Sequence, residues 1–303
     1  MRDFVGRKTL TSREAARLLG VSEASVKRWA DGGLLPAVRT AGGHRRFRPE
    51  DLAAFRHGAT ARGGAAAGGE QRPGADGGST ARLDEALSQA MFEMLVRGDA
   101  AEASAALVGL HLQGHTVGRL ADGALCPALR RVGDLWQAGE LTVAQEHVAT
   151  RTALAALHAL RAAIKASEPA GAPGAICCSV EEDFHELPVQ VAALTLEARR
   201  WRVFILGVST PFYALAESVT RFRPRLVCVG STVFTQTDRA AREYGEFVAA
   251  AARAGASVVL GGSGFMAGDV RRRFPADLHA ATFTELEGHA AALEAGAAAA
   301  AGD

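Results

Sequence analysis

Three successive architectures are predicted by this sequence: a small helical head closed by a hairpin, an antiparallel helical bundle, and a doubly wound parallel α/β sheet. Three observations carry that reading. Residues 11–35, TSREAARLLGVSEASVKRWADGGLL, hold two short helical patterns around Gly20, and RTAGGHRRFRPEDL follows with a Gly-Gly turn. From Arg82 to about Ser167 the apolar period is helical throughout. Beyond the break EPAGAPG (168–174), short β-rich runs alternate with amphipathic helices.

Composition narrows the function classes. With 303 residues, 48% hydrophobic and 22% charged, the chain suits two or three globular domains. No apolar run reaches the ~18 residues that would cross a bilayer, and the start, MRDFVGRKTL, lacks a secretory h-region, which makes the cytoplasm the expected compartment and a membrane partner unexpected. Cys126, Cys177, Cys178 and Cys228 form no C-x-x-C pair and lie mostly in apolar runs, so reduced, buried thiols are expected. The net charge of +1 hides an asymmetry: residues 1–57 carry twelve Lys/Arg against six Asp/Glu, and the remainder 22 against 27. A basic head on a mildly acidic body points to a polyanion partner for the head alone.

In the head (1–57), Thr11 with Glu14 makes a capping box for the first helix, and Ser22 caps the second. The spacing is that of a helix-turn-helix. Its second helix would present Ser25, Lys27 and Arg28 to a major groove while Val26 and Trp29 pack inward. The Gly-Gly turn and the arginines after it form a β-wing suited to phosphates, with Arg13, Arg39, His44, Arg45, Arg46 and Arg48 as the remaining DNA-binding candidates. On composition alone a solvated basic surface would read the same way. Residues 58–81, GATARGGAAAGGEQRPGADGGSTA, have a flexible linker's composition.

The bundle (82–168) has one stripe at Leu83, Leu87, Met91, Met94 and Leu95 and another at Leu154, Leu157, Leu160 and Ile164; four antiparallel helices fit its length. Within it lies WQAGELTVAQEH (136–147). Trp136 ends the third helix, Gly139 stops it, Thr142 and Gln145 cap the fourth, and Glu146 and His147 follow one turn later. On residues alone, Trp136 filling a core gap beside an exposed Glu-His pair is an equal reading.

In the α/β domain (174–300), AICCSV (175–180), RVFILG (202–207), RLVCVG (225–230) and SVVLGG (257–262) read as buried parallel strands. Helices fall near 188–200, 211–222 and 237–254, and HAATF (279–283) is a fifth strand before a last helix. Ligands bind such folds at the carboxyl ends of the strands. There EEDFHELP (181–188) puts His185 two residues after Asp183, so one ring nitrogen can face a metal while the carboxylate orients the other. A hydrogen-bonded surface histidine fits the same pattern, and periodicity does not break the tie.

Resemblance adds to this reading. Through AARLLGVSEASVKRWADGGLLP and RTAGGHRRFRPEDL, residues 9–56 resemble the winged-helix domain of the MerR family of transcription regulators, which implies double-stranded operator DNA as partner. Asp183-Phe184-His185-Glu186-Leu187-Pro188 resembles the D-x-H-x-x-G signature of cobalamin-binding domains, which implies His185 as the lower axial cobalt ligand. Ser231-Thr232-Val233 resembles the S-x-L element and Gly261-Gly262 the glycine pair that line the slot for the displaced nucleotide tail, so Ser231, Val233, Gly261 and Gly262 join the site. Pro188 stands where that motif has glycine, although proline suits a helix's first turn.

The W-x9-EH spacing of Trp136, Glu146 and His147 is similar to the helical cap of the light-responsive CarH and LitR group. That likeness implies adenosylcobalamin as cofactor, a cap over its adenosyl group, and a homo-oligomer, a tetramer built of dimers, that represses in the dark and leaves DNA on photolysis. Gln137 departs from members that place a histidine directly after the tryptophan. Two other classes stay open: a corrinoid-carrying enzyme subunit, for which 303 residues leave no room for a catalytic barrel of ~250 residues, and a regulator that senses cobalamin supply or binds none.

Overall fold

A computed structural model describes residues 9–19, 23, 26–27, 30, 35–40, 42–48, 77–164, 171–234 and 238–300. Ser25, Arg28 and Trp29, and the sequence-predicted linker up to residue 76, lie outside the described residues. The chain separates into two compact units, one holding residues up to 116 together with 127–165, the other 117–126 together with 166–303.

In the head, β1 (Leu10–Thr11) leads into α1 (Ser12–Leu19), and the expected capping box is present: Glu14 N–H donates to Thr11 Oγ1 at 3.2 Å and Thr11 N–H to Glu14 Oε2 at 2.8 Å. Strands β2 (Val38–Arg39) and β3 (Arg45–Phe47) form the wing hairpin, and the sheet order is β1-β3-β2, antiparallel. Gly43, at φ 76°, turns the hairpin and donates to Thr40 O at 2.8 Å. Ala15, Val26, Leu35 and Phe47 are fully buried and give this small module its core.

The first bundle helix, α2 (Gly77–Arg97), starts five residues inside the stretch that composition assigns to the linker. Once a helix is nucleated, each further turn costs little, so it runs back past the amphipathic segment. Gly98, at φ 74°, ends it; Asp99 caps α3 (Ala100–Leu112) by accepting from Glu102 N–H at 2.9 Å. Two further helical runs follow, the second being α6 (Val143–Ile164). Met91, Leu95, Leu107, Ala128, Val132, Leu157 and Leu160 are buried, and the Arg131 guanidinium lies 4.0 Å over the Phe92 ring.

The third run differs from the plain helix expected. It is α4 (Val117–Leu120), a π segment (Ala121–Leu125) in which Cys126 N–H bonds Ala121 O, and α5 (Cys126–Gln137). Pro127 supplies the reason, since it has no N–H for the regular i→i−4 ladder. Val117–Cys126 fall in the same compact unit as the α/β sheet. Asp122 holds them there, accepting from Phe283 N–H at 3.0 Å, Thr284 N–H at 2.8 Å and the Thr284 hydroxyl at 2.6 Å.

The α/β unit is a five-stranded parallel sheet in the order β5-β4-β6-β7-β8. Its strands are β4 (Gly174–Val180), β5 (Arg202–Thr210), β6 (Leu226–Gly230), β7 (Ser257–Gly261) and β8 (Leu278–Ala280). Four long helices accompany them: α7 (Glu186–Ala198), α8 (Phe212–Phe222), α9 (Asp238–Ala254) and α11 (Phe283–Ala300), with a short α10 (Gly268–Arg273) that the sequence reading did not foresee.

Alternation along β4 builds two cores. Ile176, Cys178 and Val180 pack with Phe212, Leu215, Phe247 and Phe274 on one face. Ala175 and Cys177 pack with Val189, Trp201 and Leu286 on the other. Trp201 is fully buried and its indole N–H donates to Glu294 Oε1 at 2.5 Å, tying α11 to the sheet. The four cysteines form no disulfide, with Cys126 half-buried; burial, next to Cys177, pushes the Cys178 thiol far up.

Two edges depart from expectation. β5 runs three residues past 207, because Gly207 at φ 93° accommodates a bulge opposite Cys178 and the ladder resumes at Thr210 beside Val180. The fifth strand stops at Ala280 rather than Phe283, because Thr282 Oγ1 accepts from Glu285 N–H at 3.1 Å and opens the last helix. Among the described residues no helix is long and apolar enough to cross a membrane.

Candidate cofactor site and nucleic-acid interface

Strands β4 and β6 are neighbours, yet β5 lies outward of β4 and β7 outward of β6, so the chain reverses direction between them. Their carboxyl ends open into a crevice at this switch point. The loop after β4 turns tightly, with Asp183 N–H donating to Val180 O at 3.1 Å and Glu182 held at φ 67°. It delivers Asp183 into the crevice and His185 to the N-cap of α7.

Asp183 is 2% exposed and accepts four hydrogen bonds. Its Oδ1 receives the His185 backbone N–H at 2.9 Å and the His185 ring Nδ1 at 2.7 Å. Its Oδ2 receives Thr232 N–H in a very short contact and Val233 N–H at 3.3 Å, both from the loop after β6. Burial would raise this carboxyl, but the His185 and Thr232 amides and the His185 ring outweigh it and hold it below the usual carboxylate range. An ionised Asp183 makes the facing Nδ1 a donor, which leaves Nε2 of a half-exposed ring with its lone pair for an external partner. Pro188 falls in the first turn of α7, where its missing N–H has no intrahelical partner to lose, and the helix starts at Glu186 regardless.

Beside this pair lies a glycine cradle. Ser231 is 2% exposed, turned inward, and its hydroxyl is buried with no hydrogen-bond partner among the described residues. A Cβ on Gly262, which sits at φ 90°, would come within 2.2 Å of Ser231 O, and one on Gly264 within 2.4 Å of Ser231 Oγ. Gly261 ends β7 with its carbonyl accepting Ser231 N–H at 2.9 Å. Val233 is 66% and Phe184 72% exposed, so apolar side chains flank the pair on the surface.

The donor set fits a cobalt corrinoid. A single imidazole backed by a buried carboxylate suits a metal that arrives already held by a macrocycle. The orphaned Ser231 hydroxyl and the glycine cradle suit a polar ligand tail approaching backbone. Sequence reasoning missed Ser179, Ser209 and Gly264. The first two sit inside or beside apolar strand runs with no motif around them, whereas GGSG after β7 did carry a signal for Gly264.

The bundle's candidates lie in the other unit. Gly139, at φ 75°, stops α5: its N–H donates to Trp136 O at 3.0 Å and Glu140 N–H to Leu135 O at 2.8 Å. Thr142 and Gln145 form the expected box, with Thr142 N–H donating to Gln145 Oε1 at 2.9 Å and Gln145 N–H to Thr142 Oγ1 at 3.3 Å. Trp136 is 45% exposed, which disfavours a gap-filling role. Glu146 Oε1 accepts from the Thr150 hydroxyl at 2.7 Å, and its other oxygen lies 3.6 Å from His147 Nε2. Trp136 and the pair flank the same turn of this helical hairpin, and among the described residues no hydrogen bond joins them.

In the head, Lys27 Nζ pairs with Glu23 at 2.8 Å and Arg13 lies 3.6 Å from the same carboxylate. Arg39 stands directly across the wing from Arg45, and Val38 from Arg46. His44 is exposed at the hairpin tip, and Arg48 follows β3, half-buried.

Comparison with known proteins gives three domain matches in the order read from the sequence. Residues 9–59 match a helix-turn-helix domain, 87–161 a B12 binding domain of helical type, and 174–293 a second B12 binding domain. The chain is 38% identical over 108 residues to the HTH-type transcriptional repressor CarH of Myxococcus xanthus, covering 35% of this chain and 34% of that protein. It is 34% identical over 145 residues to the repressor CarA of the same organism, covering 47% and 46%. The chain thus spans under half the length of these curated relatives. In structure it resembles the monomethylamine corrinoid protein of Methanosarcina barkeri, with a TM-score of 0.56 at 17% identity over 70% of this chain and 99% of that one, a likeness of fold.

Proposed function

We propose that a chain built of a helix-turn-helix head, a helical B12-binding cap and a five-stranded B12-binding domain is a transcriptional repressor. It holds operator DNA as an adenosylcobalamin-loaded oligomer in the dark and releases it in light. The observation that carries this reading is the buried Asp183 that fixes the His185 ring by Nδ1 at 2.7 Å and leaves Nε2 for cobalt. Bound there, adenosylcobalamin supplies a cobalt–carbon bond that visible light cleaves. His185 would hold the cobalt; Ser231, Gly261, Gly262 and Val233 would take the nucleotide tail; and Trp136, Glu146 and His147 would serve the adenosyl group.

The wing supports the DNA half of the reading, since Arg39, Arg45 and Arg46 put three guanidinium groups on one short hairpin, the dense positive charge that phosphate contacts need. A ligand shifts an assembly only through contacts that differ between states. Loss of the adenosyl group would deprive Trp136 and the Glu146-His147 pair of their partner, which would loosen the oligomer and weaken its multivalent hold on DNA. The fold likeness to a corrinoid protein is compatible with carriage of the cofactor, but the basic head favours a regulator over an enzyme subunit.

The test is reconstitution with adenosylcobalamin in the dark. A base-off spectrum that His185→Ala abolishes supports the ligand assignment. Size-exclusion and operator binding before and after green light then separate the two kinds of sensor. An oligomer and an affinity unchanged by light, in protein that has lost its adenosyl group, would leave a sensor of cobalamin supply.

A further inference from the structure

Asp183 orients His185, and the structure raises the question of what orients Asp183. Its carboxylate is set by the loops after β4 and β6, but its backbone is gripped by Ser179 near the end of β4 and Ser209 near the end of β5. The Ser179 hydroxyl, 2% exposed, donates to Asp183 O at 2.5 Å and accepts from Ser209 N–H at 3.0 Å. Ser209 N–H also reaches Asp183 O at 3.0 Å, and the Ser209 hydroxyl accepts from Glu182 N–H at 3.1 Å.

Ser209 stands at φ 53° and Glu182 at φ 67°, left-handed positions that strain a non-glycine residue. Both persist with these contacts around them. The bulge at Gly207 is what turns Ser209 toward the loop instead of leaving it in the regular ladder. Neither serine lies in the D-x-H stretch, in the loop after β6, or in the glycine cradle.

We infer that Ser179 and Ser209 form a two-serine brace that positions the Asp183 backbone, and through Asp183 fixes which nitrogen of His185 carries the proton and which is free to ligate. Both are positioning residues, not ligands. The inference rests on the proposed cobalt-binding role of His185 for its consequence, though the brace itself acts in the free protein.

Two readouts test it separately. In the ligand-free full chain, 15N-labelled histidine reports the His185 tautomer by NMR at neutral pH. Wild type shows the Nδ1–H form, and Ser209→Gly and Ser179→Ala each show a mixture of both forms. Glycine tolerates the left-handed backbone, so Ser209→Gly keeps the Ser209 N–H and removes only the hydroxyl that holds Glu182, the residue before Asp183, without adding strain. Ser209→Asn, which also tolerates that backbone and restores a side-chain acceptor, returns the signal toward wild type. In the dark, titration with adenosylcobalamin then shows Kd weakened about 10- to 100-fold in Ser209→Gly, the range seen when groups supporting a metal ligand are lost, with recovery in Ser209→Asn.

A pure Nδ1–H tautomer together with wild-type affinity in both Ser209→Gly and Ser179→Ala would overturn the brace. If wild type bound no cobalamin, the proposed function would fail while the tautomer experiment still decided the brace. A loss of affinity in Ser209→Gly with the tautomer unchanged would also overturn it, since the serine would then act by some route other than Asp183.

Discussion

Replacing Asp183 tests the site and the fold together. Its carboxylate, 2% exposed, serves the Thr232, Val233 and His185 amides and the His185 ring. The ring is half-exposed and can turn to water, and the Val233 contact is long at 3.3 Å, so the main cost of Asp183→Ala falls on two amides stripped of a charged acceptor. At about 1.5–2 kcal/mol each, that is about 3 kcal/mol. For a unit of this size it lowers the melting temperature by roughly 10 °C.

Asp183→Asn keeps the shape but sets an NH2 against amide donors, so it should rescue little. The sign with pH follows from the carboxyl being held low. A folded value below the unfolded one, about 3.9, gives stability that is present above that pH and lost as pH falls through the folded value. The part of the gap between wild type and Asp183→Asn that comes from this carboxyl should therefore be lost in acid, as pH falls through its folded value. Calorimetry of the ligand-free chain at several pH values is the assay. An Asp183→Asn protein that melts with wild type at pH 7 would refute the reasoning, because the pocket would then need only a shape.

Gly262→Ala should destabilise the α/β unit by at least about 2 kcal/mol in urea melts, since its Cβ would meet Ser231 O at 2.2 Å from a backbone at φ 90°; a change under half that amount would mean that the loop yields freely. Arg45→Ala should weaken operator and random DNA alike and flatten the salt dependence by roughly one unit per subunit contact, whereas Lys27→Ala should relax sequence preference; fluorescence anisotropy over a salt series reads both, and the opposite pattern would exchange their roles. Trp136→Ala should bind adenosylcobalamin through His185 yet show a smaller oligomer in the dark and little change under green light, and chromatography giving a wild-type response would remove Trp136 from the light-sensitive contact.

Much of the site was legible because its chemistry is local in sequence. Asp183 and His185 are two residues apart, the strands announce themselves as apolar runs, and the switch point follows from their order. Turn chemistry was legible as well: Gly139 and the Thr142-Gln145 box sit as the residues demanded. What escaped was non-local. Ser179 looks like one polar residue in an apolar strand, and only the bulge at Gly207, invisible in the pattern, brings Ser209 against it. The π segment could have been suspected from Pro127, but the helical period hides it. The boundary at 168 came from composition, and composition does not record that Asp122 caps a helix 161 residues further on.

That cap has a consequence for how such a gene can be cut and rejoined. A clone beginning at the obvious break near residue 174 would encode every strand of the sheet, yet it would omit Asp122, and with it the acceptor for Phe283 N–H, Thr284 N–H and the Thr284 hydroxyl. It would also expose the seat of Gly118, where a Cβ would lie 3.0 Å from Phe283 O. Excision or exchange of the last domain therefore has to carry residues 117–126 along, a piece of chain that runs on directly into α5.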